Sequence, residues 1–262
     1  MDFTFKSYTD LLKSFLLHNW NLVTQESYSL ILQQSIIIRH DVDRAPNNAL
    51  AMAKLEAGFG IKASYYFRFV PESYDEKIIT EIASMGHEIG YHYENISKIN
   101  ELKTIKNDDE LFKLALEDFE KNLLQLRKLY PVKTMCMHGS PMSKWDNREL
   151  WKKNDYKKYG IICEPYFDID FDKVFYITDA SRAWNNEKVS VRDKVESKYN
   201  IPINSTDDII NLLKSGNAPN QIMINIHPHN WAKNNAEWFK IWVWQGFKNI
   251  IKRQIIIFRK AL

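Results

Sequence analysis

Hydrophobic and polar residues follow two different periods along the chain. Apolar residues recur every three to four positions in stretches that predict amphipathic helices, and short runs of β-branched, aromatic and other apolar residues between them predict buried strands. The predicted helices are SYTDLLKSFLLHNW, APNNALAMAKLEAGFG, YDEKIITEIASMG, DELFKLALEDFEKNLLQLRKLY and STDDIINLLKSG, and the predicted strands are YSLIL, SIIIRH, KASYYFRF, HEIGYHY, VKTMCMH, YGIICEPYF, KVFYITD and QIMINIH. Alternation of strands and helices predicts an α/β fold with a parallel sheet, closed or wound, and helices outside it.

The end of the chain, NWAKNNAEWFKIWVWQGFKNIIKRQIIIFRKAL, predicts a long, aromatic and basic helix in which Gly246 is a possible point of interruption. Its aromatic stripe either packs on the outside of the fold or contacts a membrane surface or a partner. No linker, repeat or low-complexity stretch divides the sequence. We therefore predict one domain over residues 1–262, with flanking helices at 1–34 and 231–262.

Composition and charge exclude some classes of protein. The 262 residues are 45% hydrophobic, enough for a sizeable core, and 36 basic and 33 acidic residues are mixed along the chain, without the basic patch of a nucleic-acid binder. Neither a signal peptide nor a transmembrane segment is recognisable, so the sequence predicts a soluble, cytoplasmic protein. Cys136 and Cys163 lie in apolar stretches, which predicts buried thiols in a reducing compartment.

Six of the seven histidines lie in short clusters beside predicted strands. The clusters are RHDVD with His40, GHEIGYHYE with His87 and His92, CMHGSP with His138, and NIHPHNW with His227 and His229. In a parallel α/β sheet the carboxyl ends of the strands form one rim, where side chains from separate strands converge. The clusters therefore predict a metal site or an acid–base site at this rim.

Asp41 and Asp43 are the strongest part of this pattern. Side chains alternate along a strand, so both carboxylates point the same way, and a bound divalent cation would let both stay ionised. The alternative is that these residues only begin the helix after RAP. His92 ends its strand at the rim, whereas His87 begins the same strand and is interpreted as structural. His138 is either a ligand, a substrate contact or a buried histidine bonded to the backbone.

Taken in order, HDVD, GHEIGYHYE, MHGSP, FYITDASRAW and INIHPHNW resemble the motifs of the polysaccharide deacetylases, the nodulation-protein-homology group of carbohydrate esterases, and especially the branch that carries HDVD. The resemblance runs from about residue 35 to residue 231. It implies a distorted (β/α) barrel of seven strands, a divalent metal that is usually zinc, and hydrolytic removal of acetyl groups from N-acetylated sugars.

The resemblance also implies roles for single residues. Asp41 matches the general base and Asp43 a metal ligand. His92 matches the first histidine ligand, and His227 matches the histidine that acts as general acid. We expect the proton from the attacking water to pass to Asp41, and His227 to supply a proton to the departing amine.

Other residues are expected to contact the substrate. By the resemblance, Asp179, Arg182 and Trp184 fall where members of the family orient the base and line the sugar pocket, and a carboxylate such as Asp179 could orient His227. Tyr91 could stack on a sugar face.

One departure from the family pattern concerns the metal. Members with the usual triad of ligands carry a second histidine four residues after the first, where this chain has Ile96. The candidates to replace it are His138, Glu94 and Asn95. We favour His138, because two imidazoles and one carboxylate with an open position suit zinc.

The sequence thus supports three hypotheses of function. The first is a metal-dependent hydrolase that removes acetyl from an N-acetylated sugar of a surface polysaccharide or its precursor. The second is a hydrolase of another small amide or a cyclic ureide on the same barrel. The third, favoured by Ile96, is a metal-free carbohydrate-binding relative.

Overall fold

The computed structural model describes residues 1–30, 34–102, 104–185 and 193–261. Seven strands lie in these residues: β1 (Asn21–Val23), β2 (Ser35–Val42), β3 (Ser64–Phe67), β4 (Glu88–Tyr93), β5 (Met135–Met137), β6 (Val174–Thr178) and β7 (Gln221–Ile226). All pair in parallel, in the order β5, β4, β3, β2, β7, β6, with β1 beside the first half of β2. The sheet curls into a half-barrel. The predicted α/β fold with seven strands is therefore confirmed.

Helices connect the strands and cover the outside of the sheet. They are α1 (Phe5–Leu17), α2 (Pro46–Gly58), α3 (Glu76–Ser84), α4 (Asn95–Leu102), α5 (Asp108–Leu126), α6 (Pro165–Asp168), α7 (Thr206–Lys214) and α8 (Asn235–Ala261). Short 3₁₀ helices span Gln25–Leu30, Asn147–Lys152, Tyr156–Tyr159, Ala180–Arg182 and Pro228–Asn230. Their ends follow local sequence: Thr4 and Ser205, for example, form capping boxes at the starts of α1 and α7.

The central strand β2 is buried along its whole length. It lies between β7 on one side and β1 and β3 on the other, which explains its run of isoleucines, because a central parallel strand has two covered faces. Ile36 and Ile38 belong to the larger core cluster, whereas Ile37 belongs to a smaller one that contains side chains of β6 and β7. Alternate residues of β2 therefore reach two different environments.

Two predictions of secondary structure are corrected. YSLIL is not a strand: a 3₁₀ helix, Gln25–Leu30, occupies its described part, residues 31–33 lie outside the described residues, and the first strand is β1. The chain turns here because Thr24 and Ser27 bond to each other through side chain and backbone. YGIICEPYF contributes only the isolated bridge of Cys163 to Thr134. Its end becomes α6, because the Glu164 side chain accepts from Tyr166 N and proline follows Glu164.

The flanking segments also differ from the expectation. The N-terminal helix ends at Leu17 and is followed by β1, so no helix fills residues 1–34. The C-terminal helix begins at Asn235, where the side chain of Asn234 caps the N–H of Glu237, and it continues through Gly246 without interruption. Helix α4 was not predicted. Cys136 and Cys163 are buried free thiols, as expected.

A polar network lies on the helix side of β2. The carboxylate of Glu56, fully buried in α2, contacts His40 Nε2 at 2.7 Å and accepts hydrogen bonds from the hydroxyls of Tyr65, at 2.6 Å, and Tyr8. Burial opposes its ionisation, but the neighbouring His40 lowers the pKa of Glu56 below its usual value. His87 lies beside this network, where its ring bonds to Ala63 N–H and the carbonyl of Ala53, so its predicted structural role is confirmed.

Gly90 marks a position in β4 where close packing leaves no space for a side chain. A Cβ at this position would overlap the ring of Tyr66, whose hydroxyl donates to Thr134 Oγ1 at 3.0 Å on the far side of β4. We expect Gly90→Ala to lower the free energy of unfolding by about 1–3 kcal/mol, because the ring must leave its position to admit a methyl group. Urea denaturation monitored by circular dichroism measures this.

Gly58, the last residue of α2, provides the matched control. A Cβ there meets no atom within 4 Å. Gly58→Ala is therefore expected to be neutral or to stabilise the protein by up to about 1 kcal/mol, the difference in helix propensity. Equal losses in the two variants would show that the contact with Tyr66 is not the cause.

Candidate active site

Three predicted ligands meet at the carboxyl ends of neighbouring strands. Asp43 directly follows β2, His92 lies near the end of β4, and His138 follows β5. Oδ1 of Asp43 lies 3.3 Å from Nε2 of His92 and 3.4 Å from Nε2 of His138. Ligand atoms of all three lie within 4.8 Å of one another. Parallel strands thus bring together side chains that are up to 95 positions apart in the sequence.

The other nitrogen of each imidazole has an acceptor. Nδ1 of His92 lies 3.0 Å from the carbonyl oxygen of Cys136, and Nδ1 of His138 lies 2.9 Å from Oε2 of Glu94. Carbonyl and carboxylate oxygens only accept hydrogen bonds, so we assign the proton to Nδ1 in both rings. In the neutral rings Nε2 then presents a lone pair towards Asp43, the arrangement found in histidines that bind metals.

The three residues fit a divalent cation. Among the described residues, no group makes a hydrogen bond to the buried Oδ1 of Asp43, although two imidazole nitrogens face it. Zinc bonds of about 2.0–2.1 Å in tetrahedral geometry separate neighbouring ligand atoms by about 3.4 Å, close to the distances from Asp43 to the two rings. Burial opposes ionisation, but His138 and His92 hold the pKa of Asp43 well below its usual range. A divalent cation bound between the three groups would supply the positive charge that protonated imidazoles otherwise provide beside Asp43.

Glu94 supports His138 from outside this triad. Its carboxylate forms a bidentate ion pair with Arg68, with distances of 2.8 and 2.7 Å, and Arg68 also donates to the backbone carbonyl of Asp43 at 3.1 Å. Burial raises the pKa of Glu94, but the hydrogen bond with His138 and the charge of Arg68 lower it to about 2. Glu94 therefore fixes the ring of His138.

The remaining ligand candidates do not reach the triad. Asn95 is bonded to the Tyr91 hydroxyl and to Asp118 on α5. Ile96 is fully buried in the larger core cluster. Cys136 forms a second group with Asp41 and His92, but the Asp41 carboxylate of that group is already held by Arg39 and Asn225. Of the three replacements considered, only His138 points at Asp43.

Asp41 lies on the same face of β2, two residues before Asp43. Arg39 holds its carboxylate through Nε at 3.1 Å and a terminal nitrogen at 2.8 Å, and Asn225 donates at 3.0 Å. These three bonds fill three of about four acceptor positions of a carboxylate and leave one on Oδ1. Burial opposes ionisation, but the Arg39 charge lowers the pKa of Asp41. Asp41 is therefore ionised at neutral pH and can accept one more proton donor.

His227 follows β7 on the other side of β2. Its Nδ1 lies 2.6 Å from Oδ1 of Asp179, which also accepts from the His227 backbone N–H at 2.9 Å, while Trp231 Nε1 donates to Oδ2 at 2.7 Å. Burial lowers the pKa of His227, but the bond and charge of Asp179 outweigh it and raise the pKa to about 10. The ring is therefore protonated at neutral pH.

The residues expected to line a sugar pocket are placed differently. Asp179 is fully buried, where it orients His227. Tyr91 lies on the opposite face of β4 from His92, stacks on Phe119 and accepts from Asn122 through its hydroxyl. Alternation along β4 turns Tyr91 away from His92, whereas Asp179 lies where a carboxylate that orients His227 was expected. Contact of either residue with a substrate stays a prediction.

The aromatic and basic residues after β6 are also packed inside. Trp184 donates from Nε1 to Thr206 at 3.3 Å and stacks on Phe3, which leaves 3% of the residue exposed. Arg182 lies over the ring of Trp238 at 4.6 Å and donates to the carbonyl of Asn230. In the structure these side chains pack against Phe3 near the N-terminus and against α8, and their roles in substrate binding stay predictions.

Arg39, Arg68 and Asn225 were missed in the sequence. Arg39 could have been found by the rule that paired Asp41 with Asp43, since it lies two residues before Asp41 on the same face. Asn225 is a polar residue inside an apolar strand, which indicates a buried partner. Arg68 belongs to the predicted strand KASYYFRF but follows β3 in a loop, so alternation along the strand does not show where its side chain lies.

Comparison with known proteins gives only distant likenesses. No family model and no curated protein matches the chain. Similar solved structures include a CE4 esterase from Streptococcus mutans (12% identity, 92% of this chain and 89% of that chain, TM-score 0.45) and a CE4 family pseudoenzyme from Bacillus anthracis (11%, 84% and 62%, TM-score 0.43). The chain spans less than two thirds of the pseudoenzyme's length. A function for this chain has to be inferred from its own side chains.

Proposed function

We propose that the protein is a metal-dependent amide hydrolase that removes the acetyl group from an N-acetylated sugar. The observation that carries the proposal is the triad of Asp43, His92 and His138, in which both histidines offer Nε2 to one carboxylate oxygen. Asp41 and His227 lie close enough to the triad that their charges shift the pKa values of its members. Base, ligand and acid candidates thus share one rim.

Asp43, His92 and His138 would hold the cation, and three protein ligands leave a position open. When bound, a divalent cation lowers the pKa of water and polarises a carbonyl group. Two imidazoles and one carboxylate suit zinc among the metals that cells supply. Glu94 and Cys136 keep the two rings in the required tautomer.

Asp41 and His227 would move the protons. Water adds to the acetamide carbon while Asp41 accepts its proton at Oδ1, and Arg39 stabilises the carboxylate before this step. The C–N bond then breaks as His227 donates a proton to the departing nitrogen, and the acyl group leaves as acetic acid, which ionises to acetate in water. Asp179 holds the ring in place and keeps it charged until this step.

The substrate class is supported by the order of the sequence motifs, from HDVD to INIHPHNW, which resembles that of polysaccharide deacetylases. Within that class we propose an N-acetylated sugar of a surface polysaccharide or its precursor. A cyclic ureide would place the same kind of carbon–nitrogen bond beside Asp41 and is the alternative that the same assay tests.

The test is metal content and acetate release measured on the same protein, purified without a chelator or a metal-affinity tag. We expect near-stoichiometric zinc or another transition metal, and acetate release from N-acetylglucosamine oligomers or nucleotide-linked N-acetyl sugars. Removal of the metal by a chelator should abolish the activity, and zinc added afterwards should restore it. Hydantoin hydrolysis without acetate release would select the alternative, and protein that takes up no metal would refute the proposal.

A further inference from the structure

The C-terminal helix α8 has one face against the rest of the protein. Trp238 donates from Nε1 to the carbonyl of Asp2 at 2.7 Å, and Asn249 donates to the carbonyl of Ser181 at 3.1 Å. Gln245 on the same face is buried. These positions are spaced by seven and four residues, as expected for one side of a helix. The inner face of α8 thus lies along the loop that follows β6.

Beside this inner face, α8 exposes large apolar side chains, here named the outer patch: Phe239, Trp242, Val243 and Trp244, with 60%, 55%, 51% and 56% of each residue accessible. Trp242 adjoins the inner face, because it follows Trp238 by four residues and stacks on its ring. The rings of Phe239 and Trp242 lie 6.0 Å apart and adjoin each other, whereas exposed apolar residues such as Leu124 and Met142 lie far from this helix in the sequence. Contiguous apolar surfaces on soluble proteins usually bind something. The aromatic stripe thus packs on the fold through Trp238, whereas these four side chains stay largely exposed.

Charge indicates what the outer patch binds. Residues 238–262 contain six Lys or Arg and no Asp or Glu, although the whole chain is nearly balanced, with 36 basic and 33 acidic residues. Lys240, exposed beside Phe239, belongs to this set. A helix that exposes Trp and Phe within a sequence segment rich in Lys and Arg suits the interface of a bilayer with anionic lipids. In the described residues, no helix is long and apolar enough to cross a membrane.

We propose that the outer patch binds the surface of a bilayer that contains anionic lipids, with α8 lying in the plane of the interface. Trp242 and Trp244 would enter the headgroup region, and the basic residues would attract the lipid charge. The inner face of α8 contacts Ser181, two residues after Asp179. Since a helix is about 10–12 Å across, binding would hold the His227 side of the rim near the lipid headgroups.

The test is sedimentation of the full chain with vesicles of phosphatidylcholine alone or mixed with phosphatidylglycerol. We expect binding to the mixed vesicles to be at least about tenfold tighter, and to weaken as salt is added. The double variant Trp242→Ser, Trp244→Ser should weaken it by at least about tenfold, because it removes the largest apolar area of the patch. The matched control is Leu124→Ser with Met142→Ser, which removes two exposed apolar side chains elsewhere.

The outcomes separate this proposal from others. Equal binding to both kinds of vesicle, or unchanged binding by the tryptophan variant, would overturn it. A dimer in solution that the tryptophan variant dissociates, without binding to vesicles, would instead assign the patch to a second copy of the chain. Thermal unfolding checks that the variants fold. Metal content should stay the same in them, so failure here is distinguishable from failure of the proposed hydrolytic function.

Discussion

Replacing His138 with alanine is expected to remove the metal and the hydrolytic activity together. The variant keeps Asp43 and His92, but two ligands from two strands form an incomplete site. Loss of an outer partner of a ligand costs about 10–100-fold in metal affinity, so loss of the ligand itself should cost more than about 100-fold. Competition with a fluorescent zinc chelator measures the affinity, and acetate release measures the activity.

Two further variants test whether the loss of metal is specific to His138. Glu94→Gln keeps the size of the group beside His138 but removes its charge, so we expect a loss of about 10–100-fold in affinity, less than for His138→Ala. His18→Ala, at the end of α1, removes an imidazole outside the cluster and should leave both measurements unchanged. If His138→Ala retained full affinity for zinc, the third ligand would have to be sought elsewhere.

Replacing Asp41 with asparagine is expected to lower kcat by about 10²–10⁴-fold while the metal stays bound. An amide of the same shape cannot accept the proton of the attacking water, whereas Asp43 and both histidines are unchanged. The substitution also takes one counter-ion from the buried Arg39, although Asp193 Oδ1 remains 4.0 Å away. Thermal unfolding, metal content and initial rates of acetate release are therefore measured on the same preparation.

Asp10→Asn is the control for this change. Asp10 pairs with Lys6 on the surface of α1, so loss of its charge should affect neither metal nor rate. An Asp41→Asn variant that is folded, holds zinc and hydrolyses at the rate of the unaltered protein would exclude Asp41 as the base. A variant that loses zinc would show that Asp41 contributes to holding the metal.

Many residues of the rim could be predicted, because the pattern of apolar and polar residues shows where the strands end and which side chains share a face. Strand ends are marked by a change from apolar to polar residues, and alternation along β2 separates Asp41 and Asp43 from His40. Parallel strands then place Asp43, His92 and His138 at one edge, although the sequence gives no distances between them. The preference for His138 over Glu94 came from the ligand chemistry of zinc, and the structure adds the reason that Glu94 is bonded to Arg68 and to His138 itself.

The substrate contacts could not be predicted in the same way. Side chains alternate along β4, so the rule that turns His92 towards the site turns its neighbour Tyr91 away from it. Trp184 and Arg182 are large and could serve at a surface or in a core; their burial depends on Phe3 and α8, which are distant in the sequence. The prediction of a strand at YGIICEPYF was wrong, because Glu164 caps the start of α6 and this outweighs the β propensity of the residues before it.

The network around Glu56 also stabilises the register of β2 that turns Asp41 towards the site. Slippage of β2 by one residue would turn Asp41 towards the helices and His40 towards the interior. Asp41 would then meet the buried carboxylate of Glu56, and two negative charges would face each other without solvent. Glu56 thus destabilises the misaligned strand, although it lies on the side of the sheet that takes no part in catalysis.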